Sequence, residues 1–587
     1  MLELDVHARP IGRVRPGDGP EATDEAPARS GTSGPPPTPA AMVDWYHPVA
    51  LARTGLAILA STVFGRRADP RLLEALHAES VEYFDYAYDH DELRDELWLD
   101  YVADAGDGFD STFAVARTVA ADALALTDAT GRVHATQRGR VLVFGGDLVY
   151  PVASRAAYEQ RLVMPYEHAL PLTRPPHPDV YAIPGNHDWY DSLASFTRRF
   201  CARRWLAGWR TQQRASYFAL RLPHDWWLVG TDIQLDSDVD AEQVAYFKAL
   251  APIMGDDARI ILCNAEPHWI YAKKYAELDQ RYSESNLRYL EDHVFERKIA
   301  VFLSGDLHHY RHHADSLNRH KIVAGGGGAF LHPTHDADVR SLPGLAGAPP
   351  YTLKASYPDV ETSRALTRNN VGAFVRNWRL GLVLGLVYLM ICRALPVGLG
   401  DLGLTDLAEV ANLVLCGVLR APTALSWIGL FVALVILFTD THSVRYRVVG
   451  GGLHAFAHLA AVFLVGWAAA WLVHRGQLPL ALELLATGAL VVVLGGLAGL
   501  LILAGYLVVS LNCFGRHDNE AFSSLAIPDW KNFLRLHIDH RGALRIFPIG
   551  IDRVPRTWAR TSADSPLEPC DPRATPPRLI EDPIEIL

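Results

Sequence analysis

Cysteine is scarce and dispersed. Six residues, Cys201, Cys263, Cys392, Cys416, Cys513 and Cys570, are spread over 587 positions without CxxC spacing. They suggest neither a disulfide framework nor a zinc knuckle, and a reducing compartment suits them. A basic excess is also missing: 55 Lys and Arg stand against 66 Asp and Glu, for a net charge of −11. That balance excludes a general nucleic-acid binder with a basic face. The opening MLELDVHARPIGRVRPGDG has charges but no apolar core, so no secretory signal is read there. The glycine run VAGGGGA (323–329) is not followed by Gly-Lys-Ser/Thr, so it is no P-loop.

What is present is strongly sectioned. The length exceeds one ordinary core, so two or more domains are expected. Residues 1–40 are rich in Pro, Gly, Ala and charge and read as a disordered tail. Residues 41–97 read as a helical N-terminal segment. Its LARTGLAILASTVFG stretch is too short for a span, which favours a buried or interfacial helix. Over 98–365, short apolar strands end in Gly/Asp/Asn/His clusters and alternate with helical stretches such as STFAVARTVAADALAL. The pattern is α/β, with functional groups at the carboxyl ends of strands.

A mean hydropathy of +0.05 is high for a soluble chain, and the excess is local. Residues 376–512 contain four long apolar runs, beginning at Trp378, Ala421, Leu453 and Leu482, each read as a membrane span. The amphipathic run 404–419 is read as interfacial. Nine Lys or Arg residues near the span ends (Arg364, Arg368, Arg376, Arg379, Arg445, Arg447, Arg516, Lys531, Arg535) face three on the other side (Arg393, Arg420, Arg475). The expectation is a multi-pass cell-membrane protein with its catalytic domain in the cytoplasm. Residues 513–587 follow as a cytoplasmic segment with a β-hairpin around Asp539–Gly542.

The strand ends form a series: Asp104 in VADAG, Asp147 and Tyr150 in GGDLVY, Asn186-His187-Asp188 in PGNHD, Glu266 and His268 in NAEPHW, and Asp306 and His308 in SGDLHH. Two divalent cations a few Å apart need such a set: a bridging carboxylate and several further O and N donors. A nearby imidazole can then protonate a leaving oxygen.

These residues also carry a resemblance. GD, then GNHD, then SGDLHH resembles the calcineurin-like metallophosphoesterase family, and DxG…GDxxY…GNHD is most similar to its purple acid phosphatase branch, over about 98–330. The resemblance implies an α/β fold, a β-sandwich flanked by helices (αββα), with two metals at the strand ends. It implies Asp147 as the bridging ligand, Asp104 on the first metal and Asn186 on the second. His187 would contact the phosphate or leaving group, with Asp188 orienting it. Tyr150 occupies the place of a tyrosine iron ligand, or forms a packed aromatic wall.

The chain departs from the family at three points. Asp104-Ala105-Gly106 replaces Asp-x-His, with Asp107 and Asp110 close by as assisting carboxylates or turn residues. Gly305-Asp306-Leu307-His308 replaces Gly-His-x-His, with His309 as an alternative to His308. The middle histidine is unmatched, leaving Glu266, His268 or Asn264 to supply that ligand. The oxygen-rich set favours Mn, Fe or Mg over Zn.

Four further features are less specific. Trp189 and Tyr190 are wall or core aromatics. RHDNEAFSS (516–524) caps the cleft from the membrane side or forms a solvated turn. His454 and His458 share a helix face. Apart from Arg393 the spans are nearly free of charge, which argues against transport. The expected function is a membrane-anchored, dinuclear-metal-dependent phosphoesterase acting on a lipid-borne or soluble phosphate ester. The alternative is a non-catalytic metal- or nucleotide-binding sensor or transport subunit.

Overall fold

The computed structural model describes residues 11–15, 39–64, 81–89, 92–171, 177–233, 238–274, 285–335, 339–344, 348–373, 375–394, 407–439, 443–559 and 567–587. It is a mixed α/β body followed by apolar helices. In chain order the elements used below are β1 (Ile11–Val14), α1 (Pro48–Phe64), β2 (Val81–Asp85), β3 (Leu97–Val102), α2 (Phe109–Val119), β4 (Val141–Gly145), β5 (Asp179–Ile183), β6 (Phe218–Arg221) and β7 (Trp226–Gly230). Next come α3 (Ala241–Leu250), β8 (Arg259–Asn264), β9 (Ile299–Ser304), β10 (Tyr310–Ala314), β11 (His320–Ala324) and β12 (Tyr351–Tyr357). The helices α4 (Trp378–Ala394), α5 (Leu407–Arg420), α6 (Pro422–Phe438), α7 (Val444–His474), α8 (Leu480–Phe514) and α9 (Asp518–Ser523) follow. The hairpin β13 (Lys531–Ile538) and β14 (Leu544–Ile551) comes last.

Two sheets make the body. One runs β1-β2-β6-β7-β8-β9-β11-β10-β12 and ends in a short strand at Ser341–Leu342. The other contains β5-β4-β3-β13-β14, with short strands at both edges. β3, β4, β5 and β7, β8, β9 pair in parallel. Their continuous apolar runs (LWLDYV, VLVFG, WWLVG, RIILCN) suit strands covered on both faces.

Side chains from the two sheets meet in one core, with Leu99, Tyr101, Val143 and Tyr181 against Leu228, Ile261, Val301 and Ile322. The opposite faces pack on helices: Val115 and Val119 of α2 with Leu142 and Phe144, and Phe247 and Leu250 of α3 with Val229 and Leu262. The result is four layers. Each fully buried aliphatic side chain contributes about 1.5–3 kcal/mol to holding them together.

Two findings differ from the sequence expectation. Ile11–Val14, inside the segment read as a disordered tail, pairs in parallel with Val81–Phe84. Residues 1–10 and 16–38 of that tail lie outside the described residues. Val81–Asp85, inside the segment read as helical, is a strand because VEYFD places Phe84 in the inter-sheet core. The C-terminal hairpin expected around Asp539–Gly542 is present and is built into the α/β body. β13 pairs antiparallel with β3, setting Leu534 opposite Tyr101 and Leu536 opposite Leu99, so the sheet is completed from the far end of the chain.

Among the described residues two helices, α7 and α8, are long and apolar enough to cross a membrane, and a third span results only if the bent pair α5 and α6 is taken as one. α4 and α6 have 17 residues each, about 25 Å at ~1.5 Å per residue. That is shorter than a ~30 Å hydrocarbon core. α5 and α6 meet at 97°. α4 lies directly on α8: a Cβ on Gly385 would sit 2.0 Å from the Val492 carbonyl oxygen, so only glycine permits this approach. The chain leaves the α/β body and returns to it on one side, since Ser524 Oγ donates to Asn370 Oδ1 at 2.6 Å.

Candidate functional site

Register brings the chemistry to one edge. Val102, Phe144 and Ala182 lie side by side on β3, β4 and β5, so the turns carrying Asp104, Asp147 and Gly185 leave the sheet together. On the other sheet Asn264 pairs with Ser304 and Ser304 with Val323, which brings out Asp306 and the glycine run at the same end. The two edges are bonded: the Asp306 amide donates to Asp104 Oδ1 at 3.1 Å, and the Gly327 amide to the Ala103 carbonyl at 2.8 Å. Asp104, Asp147 and Asp306 all have positive φ, at 56°, 50° and 65°. Three non-glycine residues in this sparsely populated region are held there by the surrounding loops.

The Tyr150 hydroxyl is the hub. It lies 3.3 Å from Asp104 Oδ1, 3.2 Å from Asp147 Oδ2 and 3.0 Å from His308 Nε2. Burial, then the neighbouring carboxylates, pushes its pKa up, so it stays a proton donor. His308 is fixed by Nδ1 to the Phe330 carbonyl at 2.8 Å, and its ring stacks on His332 at 3.8 Å. Burial holds the His308 imidazole neutral, reinforced by His332. Burial likewise raises Asp104, Asp306 and Asp147, the last to about 8, and for Asp104 and Asp147 the adjacent carboxylates add to it.

Asn186, His187, Tyr190, Asp306, His308 and Tyr150 line one cavity with Asp147. The His187 amide donates to Asp147 Oδ1 at 2.9 Å. Glycine is required just before it, because a Cβ on Gly185 would lie 2.1 Å from that same oxygen. His187 Nδ1 bonds the Pro151 carbonyl at 2.7 Å, and desolvation lowers its pKa to about 4.

Two sequence assignments are corrected. Asp188 does not hold His187. Its Oδ2 accepts from the Gly185 and Leu148 amides at 3.0 and 3.2 Å, and Oδ1 accepts from Tyr158, so it clamps two site loops together. His268 is paired away from the cluster with Glu291, at 2.9 Å, and neither it nor Glu266 lines the cavity. Asp107 accepts from the Val43 amide at 2.8 Å and the Phe330 amide at 3.1 Å, a loop-tying role. Asp110 accepts from Trp558. Trp189 is buried and donates to Asp232, and so is a core aromatic.

Sequence reasoning missed three site residues. Trp45, before α1, packs edge-on against Tyr150, His187 and Phe330. Phe330 and His332, after the glycine run, complete the wall. No spacing rule marks them, since each arrives through contacts between segments distant in the chain. Asn519, Glu520 and Ser523 of the RHDNEAFSS stretch line the same cavity.

Among the described residues, no three His, Cys, Asp or Glu side chains converge closely enough to hold a metal ion as they stand. The donor chemistry nevertheless suits a cation. Asp104 Oδ2 and Asn186 Oδ1 are buried acceptors without a hydrogen-bond donor, and three carboxylates sit together in a desolvated site.

No family model matches the chain, and no curated protein matches it. Among solved structures it is similar to "GAP50 the anchor in the inner membrane complex of Plasmodium", at 11% identity, over 40% of this chain and 74% of that one, with a TM-score of 0.25. A likeness at that level bears on neither mechanism nor substrate.

Proposed function

We propose that this chain is a membrane-embedded, metal-dependent phosphoesterase of the calcineurin-like kind, hydrolysing a phosphomonoester or diester. The observation that carries the reading is the gathering of Asp104, Asp147, Asn186, Asp306 and His308 from separate strand ends around the Tyr150 hydroxyl, with two buried acceptors left open. These residues would hold two divalent cations, of the Mn, Fe or Mg kind by their oxygen-rich donors. When bound, such a pair supplies Lewis acidity toward a phosphoryl oxygen and lowers the pKa of an attacking water.

The chain's own groups do the rest. With Nδ1 donating to the Pro151 carbonyl, neutral His187 presents a free Nε2 that would take up the proton released by the attacking water and pass it to the departing oxygen as the P–O bond breaks. Tyr150 donates into the carboxylate cluster and keeps its geometry. Trp45 and Phe330 wall the site against water. The Asp188 clamp keeps Asp147 and His187 in register.

α4, α6, α7 and α8 supply four crossings in this reading. An even number is what the return of the chain to the same body demands. The Lys/Arg excess near those helix ends supports a cytoplasmic α/β body.

The test uses the full chain, stripped with chelator and reloaded separately with Mn²⁺, Mg²⁺, Fe²⁺ or Zn²⁺, against an aryl phosphomonoester and an aryl phosphodiester. Metal-restored turnover is expected, reduced by at least about 10²-fold in Asp147→Asn, since even partners of metal ligands cost about 10–100-fold. Turnover that persists in the variant, or none with any metal from folded protein, overturns the reading.

A further inference from the structure

The cavity at the strand ends does not stop at the α/β body. A single space of about 620 Å³ is bounded at one end by Asp147, His187 and His308, and continues between α4, α6 and α7 of the apolar helices. That volume falls in the range of small-molecule sites, about 300–1,000 Å³. From α4 the wall is Leu380, Leu384, Val387 and Ile391, spaced four, three and four apart, one continuous helix face. From α6 it includes Trp427, Phe431, Val435 and Phe438, again one face.

The two faces run in opposite senses. Leu380 packs with Phe522 and Phe330 at the polar end, and Phe438 stacks near His517 just before α9. Each face spans twelve residues, eleven steps that make about 16 Å at ~1.5 Å rise. That is one leaflet's depth of a ~30 Å hydrocarbon core. The polar end and the apolar groove are thus one space of amphiphilic shape. His454 and His458, bonded to each other at 3.1 Å, interrupt its apolar wall midway along α7. Tyr388 closes that pair by bonding His458 Nδ1 at 2.7 Å.

We infer that the substrate is a phosphate ester carrying a hydrocarbon chain, with its phosphate at the Asp147–His187–His308 end and its chain lying between α4 and α6. The inference rests on the phosphoesterase reading and adds the substrate class to it. The continuity of the cavity argues for it: a water-soluble ester would leave the long apolar limb facing nothing, whereas a lipid chain fills it and gains by leaving water. Hydrolysis needs only water as co-reactant. The P–O bond to the chain's oxygen breaks, a new P–O bond forms to the water oxygen, and the released alcohol takes the proton.

The experiment uses the full metal-loaded chain in lipid nanodiscs and straight-chain alkyl phosphates of two to twelve carbons, below their aggregation limits. kcat/KM is expected to rise with chain length, up to about fourfold per methylene buried. Leu384→Trp and Leu434→Trp, which narrow the groove from α4 and from α6, flatten that rise. Leu386→Trp, on the face of α4 that does not line the cavity, leaves it as in the wild type. Turnover that is independent of chain length, or a slope that the groove variants and Leu386→Trp leave alike, overturns the inference while leaving the phosphoesterase standing. Binding of non-hydrolysable alkyl phosphonates is measured in parallel. Chain-length-dependent binding without hydrolysis of any ester retires the phosphoesterase reading and keeps the groove's ligand. Binding that ignores chain length overturns the inference.

Discussion

β3 carries two kinds of buried charge within a few residues of each other. Asp100 is fully buried and fully paired: Arg535 of β13 donates to its two oxygens at 2.7 and 3.2 Å, and the Gly139 amide adds a third bond at 2.9 Å. The guanidinium also reaches the Val119 carbonyl at 2.9 Å. Asp104, at the end of the same strand, is equally buried but has two further carboxylates as neighbours. Among the described residues no arginine or lysine hydrogen-bonds to Asp104, Asp147 or Asp306; Asp306 accepts from Tyr271 and feels His187 and Lys274, and Lys531 acts on Asp104 only through space. A paired buried charge is consistent with a structural role, here joining the C-terminal hairpin to the sheet. Clustered like charges cost folding free energy, and their persistence points to a ligand that compensates them.

The comparison breaks most sharply at the pair. Arg535→Ala should cost about 3–5 kcal/mol, because it strands Asp100 in the core. Denaturant unfolding followed by the fluorescence of the α/β body measures it. An Arg535→Met, Asp100→Leu double variant should recover most of the loss, and a single variant that unfolds like the wild type would show that the pair is not structural.

At the cluster the sign reverses. In metal-stripped protein Asp306→Asn should raise stability by roughly 1–2 kcal/mol, since it relieves repulsion among desolvated carboxylates. Added Mn²⁺ should stabilise the wild type by about 2.7 kcal/mol at a hundredfold excess over Kd, and the variant by less. A melting temperature indifferent to metal, read by calorimetry, would remove the compensating cation from the account.

A third kind of buried polar group is neutral. Burial holds His313 down to about 3 and His320 down to about 4, below the ordinary imidazole value. The folded protein therefore binds fewer protons than the unfolded chain below about 6.5. Their contribution is full above that pH and is lost as the pH falls toward these values. The difference in melting temperature between the wild type and His313→Gln, in which the opposite titration of the raised carboxylates cancels, should be flat from pH 8 to 7 and shift against the wild type between 6.5 and 5. The smallest effect is expected from His268→Gln: unchanged kcat/KM, with a loss of about 1 kcal/mol from its bond to Glu291.

Much of the strand-end chemistry was legible because it is local. An apolar run followed by Gly-Asp or Gly-Asn-His-Asp places a polar side chain at the strand's end whatever surrounds it, and register does the rest. The family resemblance implies that Asp188 orients His187, but adjacent side chains on a helical turn point apart, and the carboxylate meets two loop amides. His268 was tied to the site by the nearby Pro and Trp, yet Glu291 offered the nearer partner. The two long helices α7 and α8 were legible from apolar length alone. α4 and α6 are shorter as helices than the apolar runs that contain them.

The sequence by itself determined the α/β alternation, the apolar helices and the residue types that end each strand. All of these follow from periodicity and propensity over a few residues. Tertiary structure alone decided that β13 completes the sheet beside β3, that Trp45 and His332 wall the site, and that the polar strand ends open into a groove between helices. Those features are contacts between segments hundreds of residues apart, which local pattern does not encode and which burial of apolar surface selects only when the whole chain is folded.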